Sequence, residues 1–146
     1  MPTVKSIDPS RYAVIFGGNQ LVGFAEGSMV KIAREKESST YAVGGKGDVA
    51  RIKNLSKVGK VTVTLMKTSP SNDILSTLLL ADERGLTIDA GVKALFVEDG
   101  NGNTFASCAQ AWIEKYPEVD LSSESTNCEW VFCCGQLEFF VGGNEV

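Results

Sequence analysis

Four cysteines, one glycine-lysine-glycine loop and scattered carboxylates are the residues of this chain with the chemistry to cut, transfer or ligate. General acid–base work at neutral pH falls most often to histidine, and the chain has none. That removes histidine-based triads and most zinc hydrolase sites. The cysteines stand at Cys108, Cys128, Cys133 and Cys134. No CxxC pair occurs among them, so they match no zinc spacing. Cys133 and Cys134, as neighbours on a strand, point to opposite faces and do not easily share a metal. They read as small buried hydrophobes in a reducing cytosol. A cysteine nucleophile would find only a lysine or a carboxylate as its base. Gly44-Gly45-Lys46-Gly47 lacks the spacing and the Lys-Ser/Thr ending of a phosphate loop, and no helix pattern follows it. Asp82-Glu83, and Asp8 with Glu26, lie at surface-like positions and read as solvated. The expectation is a protein that is not an enzyme, with no catalytic residue, no metal and no cofactor.

The elements that hold these residues are mostly strands. The length of 146 residues fits a single domain over 1–146 with a core of its own. No run of apolar residues is long enough to predict a membrane span, and the start of the chain has no signal-peptide pattern. The net charge of −4, with both signs interspersed, argues against tight DNA binding but not against DNA sliding past. Glycine punctuates short apolar or alternating runs, as in a β-rich domain. Strands are expected at Tyr12–Phe16, Gln20–Ala25 (returning through a Gly17-Gly18-Asn19 turn) and Ser28–Arg34. Lys60–Lys67 follows, with Val61, Val63 and Leu65 on one face. Val92–Glu98 and Thr104–Lys115 form a hairpin about the turn Asp99-Gly100-Asn101-Gly102-Asn103. A last strand runs from Cys128 to Val141, broken near Gly135 by a bulge. One helix is predicted from Pro70 to Arg84. Ser69 is its N-cap, Ile74, Leu75, Leu78 and Leu79 form its apolar stripe, and Gly85 stops it. It should plug the open face of a sheet. From Glu35 to Lys57 the chain makes a long, polar, exposed excursion, with room for a strand about Val49 to Lys53.

Beside this reading, motifs in a specific order give a resemblance. Asp8-Pro9-Ser10, Gly23-Phe24-Ala25-Glu26-Gly27, Val49-Ala50-Arg51 and Thr68-Ser69-Pro70-Ser71-Asn72-Asp73 come first. Leu75-Ser76, Asp82 to Arg84, Ala111-Trp112-Ile113, Asn127 with Glu129-Trp130-Val131, and Phe140-Val141-Gly142-Gly143-Asn144 follow. With these the chain resembles the tail tube proteins of contractile-tailed phages and prophages. It departs from their pattern at Lys46, where an acidic residue is expected, at Cys128, where arginine is expected, and at a less acidic Glu35-Lys36-Glu37.

The resemblance implies a mainly β, α+β fold: a small β-sandwich or split barrel with one packed helix. It implies a structural virion protein that self-assembles into hexameric rings. The rings stack as the tail tube, a conduit for DNA during ejection. The implied partners are other copies of the chain, the tail sheath, baseplate and tape-measure proteins, and DNA in transient, non-specific passage. The implied location is the virion tail, and the host cytoplasm during assembly. On this reading the excursion is an arm. Its charges of alternating sign, Arg34, Glu35, Lys36, Glu37, Lys46, Asp48, Arg51 and Lys53, become candidate contacts between subunits or rings. The alternatives are another tail, baseplate or secretion-type tube component, or a small carbohydrate-binding β-sandwich. The last would need clustered exposed aromatics, whereas Trp112 and Trp130 lie in predicted strands among apolar neighbours and read as core.

Overall fold

The computed structural model describes residues 4, 6, 8–27, 29–85, 87, 90–100, 105–124 and 126–142. The expectations for Met1 to Thr3, Lys5, Ser28, Asn101 to Thr104 and Gly143-Asn144 fall outside these residues. A 3-10 turn, Pro9–Arg11, leads into β1 (Tyr12–Phe16), β2 (Asn19–Gln20), β3 (Val30–Arg34), β4 (Ser39–Val43), β5 (Val49–Lys53) and β6 (Gly59–Met66). Helix α1 (Ser71–Arg84) follows, then β7 (Lys93–Asp99), β8 (Phe105–Lys115), β9 (Asn127–Cys134) and β10 (Glu138–Phe140). Eight strands form one sheet in the order β2-β1-β7-β8-β9-β6-β3, with β10 also on β8, and β4 and β5 pair only with each other. Every named pairing is antiparallel. This is the mainly β architecture with one helix that the sequence implies.

The sheet is strongly curved. Phe16 on β1 and Phe132 on β9 have ring centroids 4.9 Å apart, although their strands are separated by β7 and β8. In a flat sheet three strand spacings would place them about 14 Å apart. The sheet therefore rolls so that its two ends face each other over one core. Val61, Val63 and Leu65 enter that core from β6, and Cys128, Trp130, Phe132 and Cys134 from β9. The roll stays open between the two ends. Tyr12, Val30, Ile32 and Val97 line a gap there of about 290 Å³.

Along β8 the inward residues are Ala106 and Cys108, then Ala111 and Ile113, a change of phase. The ladder to β7 shifts at the same place, between Lys93 and Leu95. The expected last strand changes phase beside it. Cys134 pairs with Ala111 and Glu138 with Ser107, so β9 from Phe132 onward and β10 run along β8 in one register, interrupted at Gly135 to Leu137, with a shift beyond Ile113. The expected break is where the sequence places it, and the β8–β7 ladder carries an irregularity of its own. The phase change turns Trp112 outward: it is 37% exposed, while Trp130 is 1% exposed. The expectation that both tryptophans are core is corrected for Trp112.

The expected return strand Gln20–Ala25 is also corrected. Only Asn19 and Gln20 pair with β1, and the chain then crosses towards β6. Leu21 N–H still donates to Val14 C=O (2.8 Å), but Met66 N–H donates to Gly23 C=O (2.8 Å) and Ala25 N–H to Thr64 C=O (3.1 Å). The crossing presses on the start of α1. Gly23 has φ +75°, and a Cβ there would lie 2.7 Å from the Ser69 Cβ and Oγ. Val22 finds both its backbone partners on serines: its N–H donates to Ser71 Oγ (2.8 Å) and its C=O accepts from Ser69 Oγ. The residue at the helix cap is Pro70, which makes no side-chain cap bond; the expected cap, Ser69, stands one residue earlier, where its Oγ accepts from Ser71 N–H (3.2 Å) and acts as a strut.

Helix α1 begins one residue later than expected. Ser71, Leu75 and Leu79 form its buried row, at the i, i+4, i+8 spacing that stacks side chains on one face. Leu78 is packed against the core at its margin. Ile74 is 36% exposed and leaves the stripe. Asn72 ties the helix to the sheet: its Nδ2 donates to Met66 C=O (2.9 Å) and its Oδ1 accepts from Trp130 Nε1 (2.9 Å).

Among the cysteines, Cys108, Cys128 and Cys134 are buried and Cys133 is half-buried. Burial, with the neighbouring Cys108 adding to it, pushes the Cys134 thiol up to about 12. Burial also raises the Cys133 thiol.

Leu75→Ala and Leu79→Ala should each cost about 2–5 kcal/mol in chemical denaturation, as buried leucines do. Ile74→Ala should stay within about 0.5 kcal/mol. Equal losses at all positions would show the helix docked on a different face. Thiolates are the species that alkylate. At pH 8 iodoacetamide should spare Cys108, Cys128 and Cys134, whose burial keeps the reagent out of the native chain, and label them after unfolding, as read by mass spectrometry. Fast native labelling of Cys134 would contradict its place in the core.

Candidate assembly surfaces

The excursion expected to be polar folds as a hairpin arm. β4 and β5 pair Ser39 with Lys53, Thr40 with Ile52, Tyr41 with Arg51, Ala42 with Ala50 and Val43 with Val49. Its turn closes with Gly44 N–H on Asp48 C=O (2.7 Å) and Gly47 N–H on Gly44 C=O (3.0 Å). Every residue of β5, and every residue of β4 but Ser39, is exposed. Directly opposed residues share a face. One face therefore carries Tyr41, Val43 and Val49 with Arg51 and Lys53, and the other carries Ala42, Ala50 and Ile52. Tyr41 is 74% exposed. The arm is apolar as well as charged, which its overall polarity hid. The alternation in Thr40-Tyr41-Ala42-Val43 and Val49-Ala50-Arg51-Ile52 was the available signal.

The charged candidates separate into groups. Arg34 belongs to the body: its Nε and Nη2 donate to Leu137 C=O at 3.1 and 2.8 Å. Glu35 lies 3.5 Å from Lys60, which lies 3.3 Å from Glu114. Glu114, then Glu35, holds the Lys60 ammonium above its usual range. Lys36 and Glu37 are exposed at the root of the arm, and Lys46 and Asp48 at its tip. Arg51 and Lys53 lie along the Tyr41 face. The structure thus brings Glu35 to Lys60 and Glu114, and spreads the others from root to tip.

A second surface is a strand edge that side-chain patterns do not reveal. Glu35 N–H donates to Val58 C=O, and Thr64 N–H to Met29 C=O. These contacts fix the phase of the β3–β6 ladder. Hydrogen-bonded pairs alternate along an antiparallel ladder, so Lys31 and Ala33 bond to β6. Val30, Ile32 and Arg34 turn their N–H and C=O groups to the far side, where β3 has no neighbouring strand among the described residues. A third surface lies outside β7, β8 and β10. Phe105 and Phe140 stack there at 5.7 Å, and Phe96 is exposed nearby on β7.

Among the described residues no group of His, Cys, Asp or Glu is arranged to hold a metal ion, and no helix is long and apolar enough to cross a membrane. The exposed features among the described residues are a hairpin paired only with itself, a strand edge and aromatic side chains.

Known proteins give this arrangement a context. Residues 12–142 match the family of the bacteriophage PhiTE tail tube protein. Structural protein ORF10 of Pseudomonas phage KPP10 is 30% identical over 125 residues, covering 86% of this chain and 72% of that protein. The fold is that of the anti-feeding prophage cap, which terminates its tube, with a TM-score of 0.63 at 13% identity over 96% of this chain and 94% of that one. The sheath/tube terminator of an extracellular contractile injection system, PVC, gives 0.63 at 14% identity over 96% and 100%. A chain of the PVC sheath-tube complex in its extended state gives 0.58 at 14% identity over 92% and 91%. The match over most of the chain and the phage relative agree with the β-rich fold, and the chain belongs to the bacteriophage PhiTE tail tube protein family.

Proposed function

We propose that this chain is the repeating subunit of a phage tail tube. The observation that carries the reading is the arm. An isolated two-stranded hairpin is marginal in water at best, yet β4 and β5 form one with Tyr41, Val43, Val49 and Ile52 exposed. Such a hairpin gains its stability from a partner surface. The open β3 edge supports ring formation, because an unpaired strand edge is a template for another chain. Copies joined edge to edge close into a hexameric ring. Rings stacked through a contact that does not close make a filament. The tube is then a passive conduit for DNA in the virion tail, assembled in the host cytoplasm and surrounded by a sheath. Baseplate and tape-measure proteins meet it at its ends and in its bore. No step of this role needs catalysis.

A second reading is favoured by the two terminators among the similar structures: a ring that ends the tube instead of repeating along it. Electron microscopy of the purified chain separates the two, since a repeating subunit grows into tubes and a terminator stops at single rings.

Replacing residues 39–53 by a short Gly-Ser link should leave a folded body, because Asn54 N–H already meets Ser38 C=O at 2.9 Å across the root. Circular dichroism should show a nearly unchanged melting profile, while micrographs lose long tubes. Long tubes from this variant would remove the arm from assembly. On the edge, Ile32→Pro deletes an N–H that faces away from β6, a position where edge strands tolerate proline. It should keep the fold and block rings. Ala33→Pro deletes an N–H bonded to β6 and should unfold β3 itself. Rings from folded Ile32→Pro protein would show that the edge is not the joint.

A further inference from the structure

The chain between β8 and β9, residues 116–126, carries Glu118, Asp120 and Glu124 and no lysine or arginine. Val119 and Leu121 alternate with the first two carboxylates, and Leu121 is 83% exposed. The strands of the arm are its converse, the acidic Glu37 and Asp48 lying at the arm's root and tip. β4 and β5 hold Arg51 and Lys53 and no carboxylate, with Tyr41, Val43 and Val49 on the same face. None of the ion pairs among the described residues uses Glu118, Asp120, Glu124, Arg51 or Lys53.

The arm and the loop's return stem lie at opposite ends of the sheet, while Glu118, near the loop's departure from β8, lines a recess on the outer face with Lys60, Thr62 and Glu129. The arm leaves where Arg34, Gly59 and Cys134 stand side by side across β3, β6 and β9. The acidic loop rejoins the sheet at the other end, where Asn127 pairs with Met66 and Lys67 N–H donates to Thr126 C=O. From Gly59 to Met66 the strand rises about 24 Å. A second copy placed along the strand direction offers its loop to this copy's arm. We propose that the cationic, apolar face of the arm (Tyr41, Arg51, Lys53) docks on the acidic, apolar loop (Glu118, Asp120, Leu121) of a second copy. This pairing sets the stacking of copies along the tube, and it rests on the tube-subunit reading above. The apolar side chains supply the adhesion and the charges supply the direction. Arm against arm sets cation on cation, and loop against loop sets anion on anion, so only head-to-tail stacking is complementary.

The test is a charge swap in the full chain, read by sedimentation velocity and electron microscopy. Arg51→Glu with Lys53→Glu should raise the concentration needed for tube growth at least about tenfold. Glu118→Lys with Asp120→Lys should do the same. All sites being exposed, both variants should keep the wild-type melting curve. Mixing the two variants makes both contacts complementary again and should restore growth, as should all four changes in one chain. Variants that polymerise like the wild type overturn the pairing while the subunit reading stands. Variants that fail alone, mixed and combined also overturn it. A wild-type chain that stays monomeric at every concentration overturns both the pairing and the subunit reading.

Discussion

A strand edge presents a row of N–H and C=O groups that must find partners, water or protection, and most of this architecture answers that constraint. Buried without partners, each group costs about 1–3 kcal/mol; exposed and flat, the row invites other chains. The β6 edge is covered by β3 and then by the crossing segment, whose Gly23, Ala25 and Met29 backbones take over the ladder. The crossing has no strand on its outer side at Val22, and the hydroxyls of Ser69 and Ser71 stand in for one. The Leu137 carbonyl, at the interruption between β9 and β10, is met by the Arg34 guanidinium. Among the described residues, the outward groups of Val30, Ile32 and Arg34 still face no neighbouring strand.

The single helix follows from the same curvature. A rolled sheet leaves apolar side chains on its inner face that need further cover, and a helix with a narrow apolar row supplies it. Leu75 and Leu79 supply that row, each contributing about 1.5–3 kcal/mol by burial. Asn72 fixes the angle, because one amide side chain reaches both β6 and the indole of Trp130. Trp130 can be fully buried only because its N–H is satisfied there. The helix cap, the tryptophan and the β6 terminus are thus one joint.

Strands with one buried face were legible in the sequence. Val61, Val63 and Leu65 alternate strictly because one side meets the core and the other does not, and a one-residue slip would exchange the faces. The helix was legible from its leucine spacing. Legibility fails where pairing partners are distant. Nothing local in Gln20 to Ala25 says that it leaves β1 for β6. Nothing local in Ala109-Gln110 says that the strand changes phase there, which is why Trp112 reads as core and is not. The charges of the excursion were visible, but their division between body and arm depends on Lys60 and Leu137, which are remote in sequence. The backbone edge of β3 leaves no side-chain pattern at all.

On the proposed reading, a subunit with an open edge and an apolar arm must survive alone before assembly. Its charges are placed to help. Lys31 stands exposed on β3, where a basic residue opposes pairing with a second β3 edge. Arg51 and Lys53 do the same on the arm. Charge repulsion of this kind is short-ranged, with a screening length of about 8 Å at physiological ionic strength. It therefore acts only when like surfaces are nearly in contact, and costs little once each surface meets an unlike one. On the proposed reading, the devices that keep the free chain from aggregating with itself in the wrong orientation also give the assembled tube its polarity. Assembly then needs no chemical trigger, only a concentration of subunits and a starting ring that offers the correct end.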